Sequence, residues 1–180
     1  MKTRVCPFLF RSIAVLSLAA TAMAQQQLGV GYAYQGVEDH DDPGGSLVLN
    51  YAVYLTPSFA LQGEVTHSVV YAEQELFNSS GNSVGFQDFY ALSAGAYAVY
   101  RLPLGERFFV LGRGGALVLS SEAETCVVGD CEVEENDPEV SLSFGAGAGF
   151  QFSPAFDVQL HATQLSAEVR HVGVSLGWSF

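Results

Sequence analysis

From position 172 to position 180, every second residue is large and apolar (Val172, Val174, Leu176, Trp178, Phe180), and those between, Gly173, Ser175, Gly177 and Ser179, are small. Alternate side chains of an extended strand point to opposite faces, so one face of this segment is greasy and the other nearly bare. A soluble sheet buries its greasy face and covers the other with water-loving chains, lysine and glutamate among them. Here the second face carries neither. The same pattern returns upstream. Leu28, Val30, Tyr32 and Tyr34 oppose Gly29, Gly31, Ala33 and Gln35, while Val140, Leu142, Phe144, Ala146, Ala148, Phe150 and Phe152 oppose Ser141, Ser143, Gly145, Gly147, Gly149 and Gln151.

Eight such segments can be laid along the chain, with no convincing helix. Leu47, Leu49, Tyr51, Val53 and Leu55 mark the second, and Phe59, Leu61, Val65 and Val69 the third. The fourth covers about 86–102 and sets Tyr90, Leu92, Ala94, Ala96, Ala98 and Tyr100 against Ser93, Gly95, Tyr97 and Arg101. The fifth, 107–119, is placed with Arg113 inward, which turns Phe108, Val110, Ala116 and Val118 outward and leaves Phe109 and Leu111 inside. The seventh opposes Phe156, Val158, Leu160 and Ala162 to Asp157, Gln159, His161 and Thr163. Short turns holding Pro57, Pro103 and Pro154 alternate with longer polar connections at 37–45, 72–85 and 120–138, and a short one near Ser166 precedes the last strand. Tight turns on one side and longer loops on the other are the mark of a transmembrane β-barrel. Small side chains suit the interior of an eight-stranded barrel, which side chains fill. Phe59, Tyr100, Phe108, Phe150, Phe152, Phe156, Trp178 and Phe180 gather near the turn ends as an interfacial girdle. The fold expected is all-β, an eight-stranded antiparallel up-and-down transmembrane β-barrel over 25–180. A soluble sandwich or lipocalin-like barrel is the competing architecture.

Residues 1–24 read as a secretory signal peptide: Lys2, Arg4 and Arg11, an apolar run over 12–20, and the small-residue site Ala22-Met23-Ala24. The run falls short of the about 20 residues a spanning helix needs. Beyond it stand four arginines (Arg101, Arg107, Arg113, Arg170), no lysine and all nineteen acids, a formal charge of about −15. That balance excludes nucleic acid, whose binding depends on neutralising phosphates with Lys and Arg. Cys126 and Cys131 are a close pair in an exported chain and read as a disulfide. Half of a zinc site would need a second Cys or His pair nearby.

The strand number, the turn–loop asymmetry and the Gly-Trp-Ser-Phe ending together resemble the small eight-stranded outer-membrane barrels: the OmpA transmembrane domain, OmpX and the opacity proteins. The resemblance covers 25–180. It implies the bacterial outer membrane with both termini periplasmic, contact with outer-membrane lipids and lipopolysaccharide, and insertion by the barrel assembly machinery, with Leu176, Trp178 and Phe180 as the assembly signal. It implies no shared activity. A monomer without cofactor is expected.

Candidate chemistry sits in three places. Glu64, Arg101, Arg113, Asp157 and His161, with Arg170 as a further candidate, should face the lumen, where charges persist only when paired and hydrogen-bonded. Glu64 is expected to pair with Arg113 as a structural plug. A gate whose exchange opens a narrow pore resembles what is proposed for OmpA-type barrels. Some barrels of this size deacylate or acylate lipid A, and the deacylases carry a His-x-Ser dyad. His161-Ala162-Thr163 offers Thr for Ser and faces inward, while His67-Ser68 has the wrong spacing. In the acidic 120–138 loop, Asp130, Glu132 and Glu134 alternate as candidate oxygen ligands for a divalent cation, without a calcium-loop motif. The function expected is non-enzymatic: a barrel displaying acidic loops for envelope integrity or contact with an extracellular ligand or surface. A gated pore and a lipid A-modifying enzyme are the alternatives.

Overall fold

The computed structural model describes residues 25–38, 40, 42–127 and 130–180, so residues 1–24, which the sequence suggests are a signal peptide, lie outside the described residues. Ten strand segments occur: β1 (Gln25–Val37), β2 (Gly44–Thr56), β3 (Phe59–Val70), β4 (Ala72–Phe77), β5 (Ser83–Pro103), β6 (Phe108–Val127), β7 (Asp130–Glu135), β8 (Glu139–Ser153), β9 (Phe156–Gln164) and β10 (Val169–Ser179). Eight of them, β1, β2, β3, β5, β6, β8, β9 and β10, pair antiparallel in that order, and β10 returns to β1 from Gln27↔Ser179 to Val37↔Val169. The ring is closed.

Burial follows the two-residue period. Along β10, His171, Gly173, Ser175 and Gly177 are buried, while Val172, Val174, Leu176 and Trp178 are about half exposed. Leu142 and Phe144 stand 81% and 66% exposed on β8. Burying one such side chain is worth about 1.5–3 kcal/mol, so a wall of them facing water is unfavourable and one facing hydrocarbon is not. β6 has the expected register: Phe109, Leu111 and Arg113 are buried, and Phe108 is exposed.

Two of the three proline turns share one construction. Thr56 Oγ1 accepts from the N–H groups of Ser58 and Phe59 around Pro57, and Ser153 Oγ accepts from those of Ala155 and Phe156 around Pro154. In both, the proline presets φ and the preceding hydroxyl satisfies the turn's donors. The turn after Pro103 holds Gly105 at φ 99°, a conformation that favours glycine.

Two expected loops are strand instead. The 72–85 connection forms β4 against the start of β5, leaving only residues 78–82 as a turn, where Asn78 Oδ1 accepts from the N–H groups of Ser80 and Asn82 and Gly81 takes φ 77°. The fourth barrel strand therefore begins at Ser83 and not at 86. In the 120–138 region β6 runs on to Val127 and β7 returns beside it, with Cys126 and Cys131 as cross-strand partners joined by the disulfide. Both faces of these extensions meet water, so neither needs apolar side chains and the alternation that betrays a strand is missing. The result is a four-stranded sheet, β4–β5–β6–β7, rising beyond the barrel rim at the end opposite the proline turns.

Two apolar clusters occupy the lumen. Ala52, Tyr54, Ala60, Tyr97, Val99, Phe109 and Leu111 fill the turn end. Ala72, Phe89, Ala91, Leu117, Leu119, Leu165 and Val169 fill the other.

Candidate functional site: a polar lumen and an acidic outer sheet

Between the apolar clusters lies a polar layer. Glu64 comes from β3 and Arg113 from β6, strands separated by β5, so their contact crosses the lumen. Arg113 Nη1 donates to Glu64 Oε2 at 2.5 Å and Nη2 to Oε1 at 3.0 Å, a bidentate pair. Arg113 also donates from Nε and Nη2 to Thr163 Oγ1 on β9, at 3.0 and 2.7 Å, and its guanidinium lies 4.6 Å from the Tyr97 ring centre. One arginine thus ties β3, β6 and β9 together through the barrel axis. Tyr97 Oη donates to Ser143 Oγ, and that hydroxyl donates to the Gln164 carbonyl at 2.6 Å.

A second pair stands toward the turn end. Arg101 Nη2 approaches Asp157 Oδ2 at 3.3 Å, while Asp157 also accepts from Gln27 Nε2 at 2.7 Å and Gln159 Nε2 at 2.9 Å. The Arg101 guanidinium lies 3.9 Å from the Phe109 ring centre and 5.1 Å from that of Tyr54. These are the two ion pairs among the described residues, and both are lumenal.

A third group, at the end away from the turns, was not singled out from the sequence. Gln35 Oε1 accepts from Ser46 Oγ at 2.6 Å and Ser68 Oγ at 2.8 Å, and His171 Nε2 lies 3.4 Å from the same oxygen. All four residues occupy small-face positions of their strands, so extending the two-residue register to His171, Ser46 and Ser68 would have found them. His161 is buried on the same lumenal side. Arg170 is not lumenal: it is exposed on β10, because the parity that sends His171 inward sends its neighbour outward.

The other sequence candidates are dispersed. Thr163 Oγ1, the stand-in nucleophile, is engaged by Arg113 inside the barrel, on the wrong side of the wall for a lipid substrate. His67 faces outward and Ser68 inward, so they share no site. Asp130, Glu132 and Glu134 lie along one face of β7, exposed, opposite Val127, Thr125 and Ala123. Among the described residues the one group of three metal-capable side chains is Glu124 with Cys126 and Cys131, whose sulfurs are bonded to each other.

On the outward face of the rising sheet, Tyr90 Oη and His67 Nδ1 are 2.8 Å apart, and the Tyr71 and Tyr90 rings meet edge to face at 6.0 Å. Asp88, Glu122 and Glu124 stand beside them around a surface pocket of about 550 Å³.

A family model described as "Outer membrane protein beta-barrel domain" matches residues 10–180. Among solved structures, the chain is similar to Ail, the attachment invasion locus protein of Yersinia pestis, with 20% identity over 88% of this chain and 100% of that one, at a TM-score of 0.60. Neisserial surface protein A is similar at 14% identity, 87% and 97% coverage and a TM-score of 0.56. The N-terminal barrel domain of Pseudomonas aeruginosa OprF is similar at 10% identity, 88% and 100% coverage and a TM-score of 0.56. At these identities the likeness is one of fold. No curated protein sequence matches the chain.

Proposed function

We propose, from the premise that the chain belongs to the outer-membrane protein β-barrel family, that it is a non-enzymatic scaffold that presents the β4–β7 sheet at the cell surface. The carrying observation is that the lumen is occupied from end to end while the sheet continues past the rim. Recognition carried on segments held by a rigid scaffold is a common arrangement. In this reading the proline turns and both strand ends, Gln25 and Ser179, face the periplasm, and residues 78–82 and 165–168 face outward. The apolar wall contacts outer-membrane lipids, lipopolysaccharide surrounds the sheet, and Leu176, Trp178 and Phe180 present the outward edge that the barrel assembly machinery receives. The scaffold is a monomer, and the sheet serves envelope integrity or contact with an extracellular partner.

One structural neighbour bears on the type of ligand. Ail has been crystallised with a heparin analogue, a polyanion. The sheet here carries acids and no arginine or lysine, so a polyanion is the wrong sign. A narrow pore is the second reading, supported by the Glu64–Arg113 pair lying across the lumen. The sealed clusters on both sides favour the scaffold.

The test combines two measurements. Outer-membrane fractions run unboiled and boiled should show a heat-dependent gel shift, and a protease site placed in residues 78–82 should be cut on intact cells while one at residues 104–107 is not. Soluble periplasmic protein, or the reverse cleavage pattern, ends the reading. Conductance in planar bilayers by the wild type would replace the scaffold with the pore, and an altered lipid A profile in expressing cells would replace it with the enzyme.

A further inference from the structure

The strand register assembles something on the rising sheet that no stretch of sequence displays. Glu73 of β4 is the direct partner of Asp88 on β5, and Asp88 is in turn the direct partner of Glu124 on β6. One step nearer the membrane, Tyr90 is paired with Glu122, and Glu122 with Glu135 of β7. Cross-strand partners point to the same face with Cβ atoms about 4.5–5.5 Å apart, and like charges so placed repel. Five carboxylates therefore share one outward face in two adjacent rows. Among the described residues no arginine or lysine compensates them: Arg101 and Arg113 are committed inside the barrel, Arg107 sits at the turn end, and Arg170 is on β10, across the ring from β5 and β6. Water screens this repulsion, and the face is left free to take a cationic partner.

The shape of the pocket narrows what neutralises it. The acids do not converge on a point, since no three of them bring oxygens within metal-binding reach of one another. Instead Asp88, Glu122 and Glu124 line a pocket of about 550 Å³ together with Tyr71, Tyr90 and the His67 ring, which are fixed by their mutual contacts. Carboxylates and aromatic rings lining one pocket are the complement of an alkylammonium or guanidinium group on an apolar stem, which gains both ion pairing and cation–π attraction. Several such groups in a row match two rows of acids better than one does.

We infer that this outward face of β4–β7 binds a lysine- or arginine-rich peptide segment, with one cationic side chain seated in the pocket of Tyr71, Tyr90, Asp88, Glu122 and Glu124. The inference rests on the surface-display reading and names the partner's chemistry.

The experiment uses the full-length barrel in lipid nanodiscs and fluorescein-labelled octalysine, read by anisotropy, with octaglutamate, calcium and magnesium as further probes. Octalysine should bind the wild type and octaglutamate should not. The triple variant Asp88→Asn, Glu122→Gln, Glu124→Gln should bind octalysine at least about tenfold more weakly, while Glu132→Gln with Glu134→Gln, on the opposite face of β7, should change affinity less than about threefold. The triple variant should also keep its heat-dependent gel shift and resist proteolysis of the sheet at least as well as the wild type, because it removes repulsion; a purely structural role for these acids predicts the opposite. Equal losses in the two variants overturn the site, since only net charge would then matter. Absence of octalysine binding overturns it too, and calcium binding lost in the triple variant without octalysine binding makes the occupant a divalent ion. If residues 78–82 are cut on intact cells and octalysine does not bind, the inference alone fails. If they are not cut, the display reading fails with it.

Discussion

The lumen and the rising sheet treat the same side chains in opposite ways. In the lumen Glu64 and Asp157 each face an arginine and further donors, so that each charge is accounted for by named partners. On the sheet Glu73, Asp88 and Glu124 face one another. The difference is one of dielectric. Inside, an unpaired charge costs several kcal/mol and must be paired; in water the same repulsion is screened and costs a fraction of that. Pairing in the lumen is thus imposed by folding, whereas crowding on the sheet is tolerated by it and is free to serve something else.

The contrast can be attacked by substitution, beginning where burial is deepest. Glu64→Ala or Arg113→Ala alone should destabilise the barrel by about 3–5 kcal/mol, because each leaves an uncompensated buried charge, whereas replacing both with apolar residues of similar size should restore most of the loss. Urea titration of the lipid-embedded protein, followed by the gel shift, measures this; a single variant as stable as the wild type would show that the lumen is wet enough to dissolve the distinction. Leu165→Ala, at a fully buried position of the outer cluster, should cost about 2–5 kcal/mol and admit water from above. Asp157→Asn keeps the shape and loses the charge opposite Arg101, and about 1–3 kcal/mol is expected in the same assay. Reducing the Cys126–Cys131 bond should leave the barrel's urea midpoint unchanged and speed proteolysis of the β6–β7 hairpin only, because the bond closes a local loop in a segment that opens by itself. Smallest and opposite in sign, Asp88→Asn should stabilise the sheet by a few tenths of a kcal/mol, seen as slower proteolysis between β4 and β5.

What could be read from the sequence tracks the same contrast. In the barrel wall each strand separates hydrocarbon from a crowded lumen, two environments that demand different residues, so parity alone placed Leu176 outward and Arg113 inward. Above the rim both sides are water, parity carries no information, and β4 and β7 read as loops. The partners of Arg113 were a further step away. Thr163 reaches it from β9, with β8 between, and Tyr97 from a diagonal position on the adjacent β5; the stagger of strands around the ring, which decides who meets across the axis, is not written in any one segment. Arg170, a further lumenal candidate by residue type, shows the cost of that reasoning: its place beside the inward His171 makes it outward.

The seam between β1 and β10 also sets the order in which the molecule can be made. The ring closes by joining the earliest strand to the latest, over eleven paired positions, so no partial chain has a complete set of neighbours. Every intermediate carries two raw edges able to pair with another chain, and contacts so distant along the sequence form slowly. The shape is therefore committed in a single late event, with the last strand as the latch.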